Sequence, residues 1–220
     1  MQAKHQHDWS PSFAAAKAIQ SDWRSRVITT DQLGEVRYVA GLDAGFDKAQ
    51  KLTRAAAVVL TFPGLERVEA VTAKVPTEFP YVPGYLSFRE IPALLAALAK
   101  LTTTPDLILC DGQGYAHPRR FGLACHLGVV LDCPTIGVAK SRFIGEHDEV
   151  PPEKGQWTPL RDRGETIGAV LRSRTNTRPL YVSVGHRISL ETAIDYVLRC
   201  TPRYRLPETT RQADHLASDR

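Results

Sequence analysis

The sequence predicts an α/β protein built on one mixed β-sheet, its first three strands antiparallel and the later ones parallel, with helices on both faces. Three observations carry this. Apolar segments at 54–62 and 66–74 flank Phe62-Pro63-Gly64-Leu65, a connection short enough to give an antiparallel hairpin. Further along, short apolar runs at 106–110 and 135–139 have the look of strands buried on both faces. Helical stretches separate these runs, so the order βββαβαβ reads as a hairpin followed by crossovers.

The elements follow in order. Residues 11–28 open on Ser10-Pro11, carry alanines and spaced apolar residues, and are expected to form an N-terminal helix. A first strand over 35–43 runs into Gly41-Leu42-Asp43-Ala44-Gly45, where small residues leave room for a ligand beside the Asp43 carboxylate. After the hairpin, a loop with Pro76, Pro80 and Pro83 leads to a helix over 87–101, striped by Leu94, Leu95, Leu98 and Leu101. A helix over 120–131 lies between the two buried strands. The stretch 145–164 reads as loose, strands are expected at 166–172 and 180–183, and helices at 190–199 and 208–218 close the chain. No repeat or low-complexity linker divides residues 1–220, so one domain is expected, with 1–10 flexible.

Composition sets outer limits. The chain has 220 residues, 43% apolar and 24% charged, the balance of a folded globular protein rather than a disordered or fibrous one. Its apolar runs fall far short of the ~20 residues that cross a bilayer. The opening MQAKHQHDWS has no apolar core, so no secretory leader is expected. Cys110, Cys125, Cys133 and Cys200 are then expected as reduced thiols in the cytoplasm, and no CxxC pair suggests zinc. Net charge is only +4, but Arg119, Arg120, Lys140 and Arg142 form one basic cluster and Arg199, Arg203, Arg205 and Arg211 another. Such clusters suit a polyanion-binding face, or simply a solvated surface.

Three carboxylates stand out by position. Asp43 ends the first strand, Asp111 follows the buried run 107–110, and Glu90 opens the helix after the proline loop. An acid at the end of a central strand is costly unless paired or bound to a cation. Neighbouring strands lie about 4.8 Å apart, so two such acids can share one ion, with a third ligand from a helix completing an all-oxygen site. Taken singly, each acid is explained as well by solvation at an element end.

The surrounding motifs change that balance. GLDAGF around Asp43, PYVPGYLSFRE at 80–90, DGQGYAHPRRFGLACHLG at 111–128, PTIGVAKSRF at 134–143, VSVGHRISLETA at 182–193 and YRLPETTRQAD at 204–214 resemble the endonuclease V family. The resemblance implies a ribonuclease H-like fold and a metal-dependent nuclease acting on deaminated adenine, deoxyinosine, in DNA. It implies cleavage of the second phosphodiester bond 3′ to the lesion, 3′-hydroxyl and 5′-phosphate ends, and a role in starting DNA repair. An inosine-specific ribonuclease acting mainly on RNA stays open as the alternative. Mg²⁺, with Mn²⁺ as substitute, and a monomeric state are implied as well. A binding protein that has lost catalysis is disfavoured by the intact Asp43, Glu90 and Asp111 set.

Carried over position by position, Asp43, Glu90, Asp111 and Asp214 are the expected metal ligands, with His215 as the competing neighbour of Asp214. Lys140, after an apolar strand, can neutralise charge developing on phosphate. Tyr81, held in a proline loop, is the expected wedge that fills the gap left by an extruded base. Main-chain groups at Gly84, Leu86, Gly112 and Gly114 are expected to read the base. His117 is open between orienting a phosphate or metal-bound water and capping a helix. Arg119 and Arg120 are open between phosphate and carboxylate partners, His126 reads as a satisfied buried histidine, and His186 as a loop tie. Tyr85 and Gln113 depart from the family's usual residues and flank the expected base pocket.

Overall fold

A computed structural model describes residues 1–218. Eight strands form one sheet in the order β3-β2-β1-β4-β5-β8-β7-β6. They are β1 (Tyr38–Asp47), β2 (Leu52–Thr61), β3 (Arg67–Pro76), β4 (Leu107–Cys110), β5 (Thr135–Ala139), β6 (Trp157–Asp162), β7 (Glu165–Leu171) and β8 (Leu180–His186). The helices are α1 (Phe13–Trp23), α2 (Leu86–Leu98), α3 (Leu123–Leu131), α4 (Leu190–Arg199) and α5 (Glu208–Ala217). None of the described helices is long and apolar enough to cross a membrane.

The mixed sheet matches the expectation, with one boundary moved. Strands β1, β2 and β3 pair antiparallel, and β1–β4 and β4–β5 pair parallel. Parallel pairing stops there, because β5–β8, β8–β7 and β7–β6 are antiparallel. The reason is local: Arg163 and Gly164, both at positive φ, turn β6 directly into β7, and so short a connection cannot make a crossover. Strand β6 lies in the stretch read as loose. Its Pro159 and charged end obscured it, but a proline is tolerated on an edge strand, where it interrupts no second ladder.

Other boundaries shift for equally local reasons. The N-terminal helix stops at Trp23 and continues only as a 3-10 turn over Arg24–Arg26. Helix α3 begins at Leu123, not 120, because Arg120 takes φ 55 and its amide closes a turn on the His117 carbonyl. Strand β1 runs on to Asp47, so Asp43 sits within the strand, opposite Ala56. Residues 1–10, expected to be loose, lie along α3 instead: Lys4 N–H donates to Val130 O at 2.8 Å, and the terminal ammonium donates to Leu98 O at 3.0 Å.

Strand alternation divides the core into two layers. Val39, Leu107, Leu109, Ile136 and Val138 face α4 and α5, while Ala40, Leu42, Ile108 and Cys110 face α2 and α3. Helix α5 lies directly on β1. A Cβ on Gly41 would come within 2.1 Å of the Thr209 carbonyl atoms, so only glycine allows this approach. Gly41→Ala should therefore lift α5 off the sheet at a cost of about 1–3 kcal/mol. Urea denaturation checks this, and an unchanged midpoint would show that α5 can move freely.

Candidate active site

The same alternation gathers the acids. The β1–β4 ladder pairs Gly41 with Leu109 and Leu42 with Cys110, and Asp111 N–H extends it by donating to Leu42 O at 3.2 Å. Asp43 and Asp111 thus come level on neighbouring strands, on the face toward α5. Asp214 projects from α5 into the same space, and carboxylate oxygens of Asp43, Asp111 and Asp214 lie within 4.8 Å of one another. His215 lines the opposite side of α5, in a groove with Arg54 and Arg67, so the two neighbours part company there. Lys140, just past β5, places Nζ 2.5 Å from Asp111 Oδ2 and 3.8 Å from Asp214 Oδ1. Glu90 comes from α2, on the other face of the sheet, and stands outside this three-carboxylate group.

The charges are mutually unfavourable as they stand. Burial, then the charges of Asp111 and Asp214, push Asp43 up to about 7, against the opposing pull of Lys140. Burial, then Asp43 and Asp111, push Glu90 up to about 8, although Arg89 opposes them. Burial works against the Lys140 ammonium, but its bond to Asp111 and the nearby acids outweigh that and hold it above the ordinary lysine value. Four acids served by one ammonium make a site short of positive charge. Its all-oxygen donors are of the kind that suit Mg²⁺ or Mn²⁺.

A cavity of about 340 Å³ opens beside the cluster and shares Asp111 and Lys140 with it. Tyr81, Gly84, Leu86, Gly112 and His117 all line it. Tyr81 is 66% exposed at its rim. The chain turns at Val82-Pro83-Gly84-Tyr85, closed by Tyr85 N–H on Val82 O at 3.0 Å, with Gly84 at φ 86. That turn aims the Gly84 carbonyl inward, where it accepts from Arg119 Nη2 at 2.6 Å, Gln20 Nε2 at 3.0 Å and His117 Nε2 at 3.1 Å. Three donors on one oxygen fix the segment that carries Tyr81.

His117 acts through this carbonyl. Its Nδ1 accepts from Arg119 N–H at 3.2 Å, so both ring nitrogens are occupied. Burial and the charge of Arg119 push it down to about 3, leaving it neutral. Arg120 pairs with the carboxylates of Asp162 and Glu165, each at 2.8 Å, whereas Arg119 Nε donates to the Gln20 amide oxygen at 2.6 Å. Gly114 stands behind the cavity wall, its N–H donating to Ser183 Oγ at 2.9 Å. His186 Nδ1 accepts from Ile28 N–H at 3.2 Å, tying down the segment after α1.

Sequence reasoning missed Gln20, Ser87, Ser141 and Phe143 as lining residues. Gln20 comes from a helix remote in sequence, where one polar residue among Lys17, Ser21 and Asp22 does not stand out. Phe143 closes the family-like stretch 134–143 and lies 5.7 Å from the His117 ring, a signal that was available. Gln113, noted only as a departure, donates from Nε2 to Ser141 O at 3.0 Å and so braces the segment beside Lys140.

A mixed sheet with carboxylates gathered past its central strands, and one more supplied by a packed C-terminal helix, defines the class as a nuclease of ribonuclease H-like fold. Residues 21–215 match the family model described as Endonuclease V. An Endonuclease V from Rippkaea orientalis is 63% identical over 209 residues, 95% of this chain and 91% of its own. The crystal structure of the Endonuclease V from Streptomyces avermitilis has TM-score 0.92 and 43% identity, covering 100% of this chain and 97% of that one. That of Ciona intestinalis Endonuclease V, in complex with a 23mer DNA containing an inosine followed by a ribo-adenosine, has TM-score 0.83 and 31% identity, covering 94% and 95%. The chain belongs to the endonuclease V family.

The acid cluster carries a pH signature. Asp43 and Glu90 hold protons in the folded state up to about 7 and 8, whereas an unfolded chain releases them near the ordinary carboxylate value of about 4. Their contribution to stability is complete below that lower value and is lost as pH rises through the higher ones. With EDTA present, the urea midpoint should fall between pH 5 and pH 8.5. Asp43→Asn should flatten the fall and gain on the order of 1–2 kcal/mol at pH 8.5. A parallel profile for the variant would remove Asp43 from the cluster.

Proposed function

We propose that this protein recognises deoxyinosine in DNA and hydrolyses the second phosphodiester bond on its 3′ side, leaving 3′-hydroxyl and 5′-phosphate ends and so initiating repair. The observation that carries the reading is the junction of two features: an acid cluster with its lysine, and a half-open cavity that shares Asp111 and Lys140 with it. A base seated in the cavity leaves its own backbone running past the carboxylates. The inosine-containing DNA bound by the Ciona relative supports the same substrate here.

Asp43, Asp111 and Asp214 would hold Mg²⁺, or Mn²⁺ in its place, with Glu90 completing the acidic surroundings from the α2 side. The bound ion would lower the pKa of water and stabilise charge on the phosphate oxygens. Lys140 keeps its proton and brings a cation to the scissile phosphate, within reach of both Asp111 and Asp214. Tyr81, rigidly mounted and exposed, stacks in the space the extruded base leaves. Inosine pairs less stably than an undamaged base, so its extrusion costs less. Gly84, Leu86 and Gly112 supply backbone along the cavity wall, while Gly114 and His117 hold that wall in place.

End-labelled duplex DNA with one deoxyinosine tests this directly. A nick one nucleotide 3′ to the inosine is expected with Mg²⁺ and none with EDTA, and Asp111→Ala should abolish it while keeping the fold, since it relieves a self-repelling cluster. No nick with either Mg²⁺ or Mn²⁺ would overturn the reading, and an RNA duplex cut in preference to DNA would reassign the substrate. Tyr81→Ala should lower the preference for inosine over undamaged duplex by about tenfold. Equal losses on both duplexes would make Tyr81 structural.

A further inference from the structure

Ser87 lies in the second position of α2, lines the cavity, and is only 2% exposed. The direction of its hydroxyl proton is set by a relay of hydrogen bonds that begins at the N-terminal segment. His7 Nδ1 lies 2.6 Å from the Asp8 carbonyl, which can only accept, so Nδ1 carries the hydrogen. A neutral His7 then has a bare Nε2, and it faces His126 Nε2 at 2.6 Å. One of these two nitrogens must donate, which puts the hydrogen on His126 Nε2. The neutral His126 ring is left with a bare Nδ1, 3.0 Å from Ser87 Oγ. Ser87 must donate to it.

Both rings suit the neutral form this requires. Burial, with His7 and His117 nearby, holds His126 well below its ordinary value, and burial lowers His7 against the pull of Asp8. Aromatic packing keeps the rings from turning: His126 stacks on Trp9 at 5.2 Å and meets Phe121 at 4.9 Å and Phe88 at 5.1 Å. With its only hydrogen committed to His126, the Ser87 oxygen offers nothing but acceptor lone pairs to whatever enters the cavity.

We propose that Ser87 determines base specificity, selecting a purine that carries hydrogen on N1 over one whose N1 is a bare acceptor. The proposal rests on the reading of the cavity as the base pocket. A base enters with its sugar outside, so the edge farthest from the glycosidic bond, N1 and C6, reaches deepest into the cavity. Hypoxanthine presents N1–H there and donates to Ser87 Oγ. Adenine presents a lone pair at N1, which meets another lone pair on the Ser87 oxygen, so no hydrogen bond forms there. Deamination at C6 is thus read through the hydrogen it places on N1. His7 and His126 are positioning residues, for they touch no base and act only by fixing the direction of one O–H bond.

Binding to three duplexes, measured by fluorescence anisotropy with EDTA present, tests this. One carries deoxyinosine, one deoxynebularine, whose N1 is a bare acceptor and whose C6 bears no substituent, and one is undamaged. Each variant is compared with the unaltered protein on the same duplex, which cancels the different costs of base extrusion. Ser87→Ala should bind the inosine duplex about tenfold more weakly. It should bind the nebularine duplex as well as before or better, because the clash of lone pairs is gone. His7→Phe, outside the cavity and conservative in packing, removes the acceptor that fixes His126 and should shift the same ratio in the same direction. It keeps the test open should Ser87→Ala fail to fold.

Equal weakening on inosine and nebularine would show that Ser87 only supports the wall, and an unchanged ratio in both variants would equally overturn the proposal. An unaltered protein that binds inosine and undamaged duplexes alike would instead refute the base pocket itself, and the proposal with it.

Discussion

Three carboxylates held within 4.8 Å of one another constrain the whole structure, because like charges at that distance repel unless a rigid frame or a cation holds them. The frame has two parts. Parallel pairing of β1 with β4 sets Asp43 and Asp111 level, and α5 is pressed onto β1 at Gly41 so that Asp214 cannot retreat. Burial first, and then the neighbouring acids, make Asp43 and Glu90 keep their protons to unusually high pH, and Lys140 offsets only part of this at Asp43. The arrangement is poor for the free protein and good for a bound cation.

Much of the chain's basic charge serves this frame rather than the solvent. Arg205 donates from Nη2 to the Lys140 carbonyl at 3.1 Å and to Pro179 O at 2.9 Å, and from Nε to Arg178 O at 2.6 Å. Together with Gln113 on Ser141 O, it brackets the segment that carries the Lys140 ammonium. Arg211 pairs with Glu208, and Arg120 ties the β6–β7 hairpin to the turn before α3. Arg120, Arg205 and Arg211 are thus tied to the fold, while Lys140, Arg142, Arg199 and Arg203 stay exposed.

The two faces of the sheet divide the work. Strand residues facing α5 supply Asp43 and Asp111, while the α2–α3 side supplies the cavity wall, its glycine turn and the paired histidines behind it. The two meet past the ends of β4 and β5, at Asp111 and Lys140, in the region where open α/β sheets bind ligands. The N-terminal residues belong to this design, since His7 reaches the cavity through His126 and Ser87.

Sequence alone determined the layered α/β class, because hydrophobic periodicity and a four-residue hairpin turn are local properties that survive without tertiary context. It also pointed to Asp43, Asp111, Asp214 and Lys140, which the fold brings together, because each sits in a contiguous motif. It could not place β6, whose proline and charges look irregular until its position on the sheet edge is known. It favoured Asp214 over His215 only through the resemblance of its motif, since the two are one residue apart on different sides of a helix whose seating depends on Gly41. The roles of His117, Arg119 and Arg120 hung on which distant carbonyl or carboxylate each would meet. Gln20 gave no signal, and Ser87 only its place in the stretch 80–90, because a hydrogen bond across the fold leaves no trace in local spacing. Tertiary structure alone fixed those partners.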